Sequence, residues 1–172
     1  PRLEASSMYA GIMIDTNNFV NRTGVRTFEA AAFLRRSGAD ITLIRKMLRD
    51  DLESYRAKAE IIRSAEVYHE KFAIARGERL NVESPTIIGA QAANELLDIN
   101  AIKASFVLTD YNGRIYVSAR SIDEVNVQII MEKLGGGGHM NASGAQFDHT
   151  NMEKAIESVK QVLDDMIRKG DI

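Results

Sequence analysis

Four consecutive glycines, Gly135–Gly138, followed by His139, constrain the fold of this chain more than any other stretch. Glycine loses more backbone entropy on ordering than any other residue, so an ordered run of four is costly. A folded protein keeps such a run where φ is positive or where the backbone closely approaches another group. Successive glycine N–H groups can converge on an anion, and His139 and Asn141 add donors. The run therefore predicts a phosphate site, with a flexible helix-ending linker as the alternative.

A cation is expected beside this run. The apolar pattern from 125 to 134 predicts a helix that ends at the glycines, which places them at the negative end of the helix dipole. An anion held there needs a positive side chain nearby. Arg120, two residues after Ser118, is the candidate because a guanidinium can contact a phosphate through two hydrogen bonds.

Composition excludes several classes of function. The sequence has no cysteine, which removes disulfides, thiolate zinc sites and cysteine nucleophiles. Its 22 basic and 24 acidic residues leave a formal charge of −2, so no bulk positive field is present to hold a long polyanion. No apolar run approaches the ~18 residues that span a bilayer. We expect a cytoplasmic globular protein that binds a small anionic ligand.

The pattern of elements predicts an α/β protein with a helical beginning. Three helices are expected before residue 50, a connecting helix at 51–70, and a small α/β domain at 71–172. Asn112-Gly113, between candidate strands 105–109 and 114–118, predicts a tight hairpin. A further helix is expected at 90–97. Residues suited to helix N-caps or capping boxes predict four helix starts, at Thr27, Asp40, Asp50 and Thr150.

An oxygen-rich stretch follows the first predicted helix. Asp15 precedes Thr16, Asn17 and Asn18, and these side chains offer the oxygen ligands that hard divalent cations prefer. The same residue types also form turns and helix caps. The residues alone leave both roles open.

Two separated motifs resemble one family. Residues 8–19, MYAGIMIDTNNF, with RTGVRT at 22–27, are similar to the last metal-binding motif of the DHH phosphoesterases. Residues 117–121, VSARS, and 135–144, GGGGHMNASG, resemble the signature of the DHH-associated substrate-binding domain. The asparagine pair and the arginine-rich motif resemble the GdpP (YybT) type, which are membrane-anchored phosphodiesterases of cyclic di-AMP.

The resemblance implies a division and a set of roles. Residues 1–50 would be the last part of a DHH catalytic domain, 51–70 a linker helix, and 71–172 a mixed-sheet DHH-associated domain. Asp15 would be a ligand of a two-manganese centre. The implied substrate contacts are Ser118, Arg120, Gly136, Gly137, Gly138 and His139, with Asn141 and Ser143 close to the ligand.

The sequence holds only part of the family pattern. No Asp-His-His triplet is present, and the chain begins at Pro1. We therefore expect a C-terminal part of a longer, membrane-anchored parent that is inactive alone. The expected partners are cyclic di-AMP or linear di-adenylate, the N-terminal part of the catalytic domain, and a second copy of the chain. The alternative is a single-stranded nucleic-acid or oligoribonucleotide module of an exonuclease type, which the near-zero charge disfavours.

Overall fold

The computed structural model describes residues 2–172, which form two compact units divided between Asp50 and Asp51. The first unit is helical, and the second is a six-stranded mixed sheet with four helices, which confirms the α/β class. The elements in chain order are α1 (Arg2–Asp15), α2 (Val25–Arg36), α3 (Ile41–Met47), α4 (Leu52–Arg63), β1 (Glu66–Tyr68), β2 (Phe72–Gly77), α5 (Pro85–Leu96), β3 (Ala104–Tyr111), β4 (Arg114–Ser121), α6 (Val127–Lys133), β5 (Gly137–His139), β6 (Ala142–Asp148) and α7 (Met152–Lys169).

The first unit has a small apolar core. Ala5, Leu34 and Ala39 are buried there, and Tyr9 and Ile12 pack against them. The three helices therefore hold together through a handful of small and medium side chains, which bury little apolar surface.

Helix starts in the first unit follow capping chemistry. Asp40 caps α3 as predicted, since its carboxylate accepts the Leu43 N–H at 3.0 Å. Thr27 was predicted as a cap, but α2 begins three residues earlier, after Gly24. The Thr27 hydroxyl instead reaches back to accept the Gly24 N–H at 3.3 Å. A threonine at the third helical position can serve the start of a helix without being its cap.

The second unit is built on one sheet in the order β1-β2-β3-β4-β6-β5. β2 and β3 are parallel, and every other neighbouring pair is antiparallel. The predicted hairpin joins β3 to β4: Asn112 and Gly113 have φ of 51° and 74°, as a two-residue hairpin turn requires.

Helices cover the sheet unequally on its two faces. On one face α4 and α5 pack on β2 and β3, where Ile61 and Leu96 are fully buried. On the other face α6 and α7 pack against a larger core that includes Phe106, Met131 and Leu163. β3 is buried along most of its length, as expected for a central strand covered on both faces.

Helix α5 begins at Pro85, five residues before the predicted start at Ala90. Proline at the first helical position lacks only an N–H that has no partner there. At Gly89 the helix comes so close to β3 that an added Cβ would overlap the Thr109 hydroxyl. A glycine that would weaken an isolated helix is thus required here by packing.

The predicted connecting helix ends at Arg63 and does not extend to Glu70. The Ser64 hydroxyl binds the backbone of Arg76 on β2, so the chain turns back and Glu66–Tyr68 joins the sheet. α4 packs on the sheet as part of the second unit. Two caps also lie one residue later than predicted, at Asp51 and Asn151.

Within residues 2–172, no helix combines the length and apolar character needed to cross a membrane.

Candidate functional site

The strand β4 divides its residues cleanly between the two faces of the sheet. Ile115, Val117, Ala119 and Ser121 are buried, whereas the residues between them are half-exposed. Neighbouring residues of a strand point to opposite faces. The half-exposed residues therefore share the α5 face of the sheet, where α5 packs over β3 and reaches β4, and the outer strands β6 and β5 stay more open. We name this open face by its residues: Tyr116, Ser118 and Arg120 on β4, Ala142, Gly144 and Gln146 on β6, and Gly137 and His139 on β5.

Sheet register brings two predicted site residues into one line. Arg120 pairs with Ala142, and Ala142 pairs with His139 on the edge strand. We call these three residues the Arg120 row. Arg120 and His139 are two strands apart, about 10 Å between Cα atoms. Only the methyl group of Ala142 stands between them.

A second line runs beside the first. Ser118 pairs with Gly144, which pairs with Gly137, and we call these the Ser118 row. Two of the three residues have no side chain. The two rows together form a floor of small residues flanked by a guanidinium and an imidazole.

Arg120 lacks a counter-ion among residues 2–172. Its Nη1 donates to the carbonyl of Ala119 at 2.9 Å, and no described carboxylate lies within ion-pair distance. Burial lowers the pKa of its guanidinium, which remains charged at neutral pH. A half-buried cation without a counter-ion is costly, and an anionic ligand would relieve that cost.

The first two glycines of the run terminate α6. Gly135 has φ of 79° and donates to the Glu132 carbonyl at 3.0 Å, and Gly136 donates to the Met131 carbonyl at 2.8 Å. This pair of bonds is the Schellman arrangement, which needs a left-handed residue. An added Cβ at Gly136 would also overlap the backbone of β6.

The next two glycines differ in what surrounds them. Gly138 has φ of 147°, and an added Cβ would lie 2.6 Å from the Ser143 Cα. Gly137 has no positive φ, and a Cβ there would meet nothing within 4 Å. Gly138 is therefore required by the fold, whereas Gly137 faces free space.

The glycine run is not the concave nest that the sequence suggested. Gly137–His139 is an extended edge strand paired with β6. Successive N–H groups of a strand point in opposite directions and do not converge on one anion. The free space over the floor, not a ring of N–H groups, is what this strand offers a ligand.

Asn141 and Ser143 hold the turn between β5 and β6. The Asn141 amide donates to Asp123 at 2.9 Å. Ser143 is buried on the α6 face, and its hydroxyl donates to the His139 carbonyl at 2.6 Å. Ser143 thus points away from the open face, because it alternates with Ala142 and Gly144 along β6. Its geometry suits positioning of His139 rather than contact with a ligand on the open face.

Asp15 is the last residue of α1 and is exposed. The next residue, Thr16, is buried and accepts the Phe19 N–H at 2.9 Å, so it orders a turn. Asn17, Asn18 and Phe19 all have positive φ, from 47° to 66°. Three such residues in sequence are strained by about 1–3 kcal/mol each, and strain of this kind concentrates at functional sites.

The described residues do not form a metal centre. In the part of the chain from 2 to 172, no three His, Cys, Asp or Glu side chains lie close enough together to hold a metal ion. Asp15 offers a single carboxylate, and the Thr16 hydroxyl is already used in the turn. A two-manganese centre therefore does not fit these residues alone.

Sequence reasoning missed four residues of the open face, namely Tyr116, Gln146, Ala142 and Gly144. Strand alternation from Ser118 and Arg120 would have found Tyr116. The β6 residues carried no comparable signal, because that strand was read as a loop.

The region that contains these rows also identifies the family of the chain. The profile of the DHHA1 domain matches residues 78–165, which include β3 to β6. The chain belongs to the DHHA1 domain family. The DHHA1 region thus contains both rows of the open face, and the predicted resemblance is confirmed.

Relatives of this DHHA1 chain include cyclic-di-AMP phosphodiesterases. It is 40% identical over 164 residues to PdeA of Listeria monocytogenes, across 95% of this chain and 25% of that protein. It is 40% identical over 169 residues to GdpP of Geobacillus thermodenitrificans, across 98% of this chain and 26% of that protein. The chain thus spans about a quarter of the length of these relatives.

A solved structure shares the fold. An exopolyphosphatase-related protein from Bacteroides fragilis superposes with a TM-score of 0.82 at 24% identity, over 94% of this chain and 50% of that one. At that identity the likeness shows the fold alone.

Proposed function

We propose that this chain supplies nucleotide-phosphate recognition to a cyclic-di-AMP phosphodiesterase, which hydrolyses cyclic di-AMP to linear pApA. Two relatives named as cyclic-di-AMP phosphodiesterases match nearly the whole chain at 40% identity. Because the chain spans about a quarter of them, the activity is assigned to a longer protein. Within it, residues 1–50 would end the DHH catalytic domain, 51–70 would lead from it through α4, and 71–172 would be the DHHA1 domain. The parent would be held at the cytoplasmic membrane.

The observation that carries this proposal is the guanidinium of Arg120, which has no ion pair among residues 2–172 and lies beside the small-residue floor. In the proposed complex, a phosphate group lies over Gly137, Ala142 and Gly144. Arg120 holds its oxygens from one side and His139 from the other. The Ser118 hydroxyl donates a further hydrogen bond, and the missing side chain of Gly137 leaves room for the ligand.

Metal chemistry is assigned to the longer protein. Manganese would activate water for attack on phosphorus, and Asp15 would be one ligand. The described residues add no second carboxylate there, so we derive no catalytic step from this chain. We expect the chain with manganese and cyclic di-AMP to yield negligible pApA.

Calorimetric titration with cyclic di-AMP and pApA tests the proposal. We expect wild-type chain to bind, and Arg120→Ala to bind at least ~10-fold more weakly, because a hydrogen bond to a charged group contributes about 1.5–3 kcal/mol. Arg168→Ala removes an exposed arginine of α7 and is the matched control. Equal binding by wild-type chain and Arg120→Ala would contradict the proposal.

The nucleic-acid alternative has a separate test. A single strand whose many phosphates are contacted by basic side chains binds with a steep salt dependence. A dinucleotide makes only a few such contacts, so its salt dependence is shallow. We expect pApA affinity to fall shallowly with salt. Tighter, steeply salt-dependent binding of a 12-nucleotide strand would favour the alternative.

A further inference from the structure

A third line of residues on the open face has the composition of a base-binding surface. Tyr116 pairs with Gln146, and we call this pair the Tyr116 row. It lies two residues along β4 from Ser118, a distance of about 7 Å. We propose that Tyr116 stacks on the purine of the nucleotide whose phosphate lies at Arg120 and His139, and that Gln146 selects adenine. This inference rests on the proposed function.

Two groups lie beside Tyr116 on this face. Arg114, two residues earlier on β4, is paired with Asp148 at 2.8 Å. Tyr111 adds a ring contact, with centroids 6.5 Å apart at 49°.

The Tyr116 ring is accessible for stacking. Tyr116 is half-buried, so part of the ring is accessible on the open face. Aromatic side chains bind unpaired bases by stacking, and a tyrosine has only two χ angles to order, so it supplies contact area at low entropy cost.

Charge divides the open face along the strand direction. The end with Arg120 has a cation that forms no ion pair with any described residue, whereas the end with Tyr116 has a neutralised pair, Arg114 and Asp148. A nucleotide has the same polarity, with an anionic phosphate joined through a sugar to a neutral aromatic base. The spacing of the rows therefore favours one nucleotide laid along β4, phosphate toward Arg120.

Gln146 gives this surface its selectivity. It is exposed and lies directly across from Tyr116, so it is beside a base stacked there. A glutamine amide both donates and accepts, which matches the N6 and N7 edge of adenine. Guanine presents two acceptors, O6 and N7, at the same edge, so the amide can satisfy only one of them at a time.

Adenosine 5′-monophosphate and ribose 5-phosphate, which differ only in the base, test this inference by NMR titration of the chain. We expect the monophosphate to bind ~10-fold more tightly, since stacking contributes about 1–3 kcal/mol per base. Tyr116→Leu should abolish this difference and leave ribose 5-phosphate binding unchanged. Tyr55→Leu, which truncates an exposed tyrosine of α4, is the control. Gln146→Ala should equalise adenosine and guanosine monophosphates.

Two readouts distinguish a failure of this inference from misfolding of the Tyr116→Leu variant and from a failure of the proposed function. In the wild-type chain, the ring resonances of Tyr116 should shift with adenosine 5′-monophosphate and not with ribose 5-phosphate, whether or not Tyr116→Leu folds. Unshifted ring resonances, or a folded Tyr116→Leu that keeps the base preference, would overturn the inference. If both ligands bind regardless of Arg120→Ala, it is the proposed function that fails.

Discussion

Arg120 on β4 and His139 on β5 lie in register across β6, with only Ala142 between them. Arg120 precedes His139 by 19 positions in the sequence, and the turn between β5 and β6 separates His139 from Ala142. The sheet nevertheless places all three residues in one row. About 10 Å separates the outer two Cα atoms. The space between the two side chains is open because Ala142 has only a methyl group.

Ala142→Leu should fill that gap. The side chain would rise from the floor between the two basic residues, so we expect loss of most pApA binding through exclusion of the phosphate. Ala142 is half-exposed, so the thermal midpoint should change little. Ala142→Ser, nearly the same size, is the control, and calorimetry with parallel melting checks both. Undiminished binding by the leucine variant would show that the phosphate lies elsewhere.

Gly136 and Gly137 should separate folding from binding. Gly136→Ala would overlap the β6 backbone, so we expect a large fall in the free energy of unfolding, on the order of 2–4 kcal/mol. Gly137→Ala meets nothing within 4 Å, so stability should hold while pApA binding weakens. Urea unfolding and calorimetry on both variants check this. The reverse pattern would remove the argument that Gly137 leaves room for a ligand.

Gly89→Ala should destabilise the second unit even though alanine is the better helix former. The added methyl would overlap the Thr109 hydroxyl and push α5 away from β3. Overpacking of this kind costs about 1–3 kcal/mol, more than the ~1 kcal/mol gained in helix propensity. Ala90→Gly, on the same helix, is a control that loses propensity without overlap. Urea unfolding of both variants measures the cost of the overlap and the cost of lost helix propensity separately. A more stable Gly89→Ala would show that the helix can shift freely.

The hairpin of β1 and β2 is held to α7 through one carboxylate. Asp164 accepts hydrogen bonds from the Tyr68 hydroxyl and from His69 Nε2, each at 2.7 Å. The bonds from His69 and then Tyr68 lower the pKa of Asp164, and the same carboxylate raises the pKa of Tyr68 to about 12. The cluster therefore contains one group that titrates in acid, Asp164, and one that titrates in alkali, Tyr68.

The stability contributed by this cluster should vanish in acid and in alkali. A lowered carboxyl pKa contributes stability that is present above the ordinary aspartate value, ~3.9, and lost as pH falls through the folded value. A raised tyrosine pKa contributes stability present below ~10 and lost as pH rises through the folded value. Asp164→Asn should therefore flatten the acid decline of the urea midpoint, and Tyr68→Phe the alkaline one. Unchanged slopes in both variants would contradict the linkage.

The first unit exposes large apolar side chains. Ile14 is 63% exposed and Phe33 62%, and Phe28 is exposed although it stacks on Phe19 with ring centroids 5.5 Å apart. Leu34 of the same helix, by contrast, is buried in the core of the unit. Exposed apolar surface favours association.

We therefore expect concentration-dependent self-association of the chain in sedimentation. Phe33→Glu should weaken it by placing a charge on the apolar surface, whereas Ile99→Glu, an exposed apolar residue of the second unit, should not. A monomer at every concentration would remove this surface from consideration.

Local signals succeeded where local chemistry decides the structure. The Asn112-Gly113 turn and the Asp40 cap form as predicted, because both depend on residues within a few positions of one another. β5 was missed because a three-residue strand with two glycines has no periodicity of its own and forms only through pairing with β6. β6 was missed because its first residues, Ala142 to Gly144, belong to the stretch that was interpreted as a loop.

The sequence by itself determined which chemistry is available: the glycine run, the histidine after it, and an arginine two positions from a serine. Local chemistry of that kind is carried by residue identity. The tertiary structure alone decided which of these residues share a face. Sheet register aligned Arg120 with His139 and turned Ser143 to the buried side, because pairing with a distant strand fixes both the partner and the direction of every side chain.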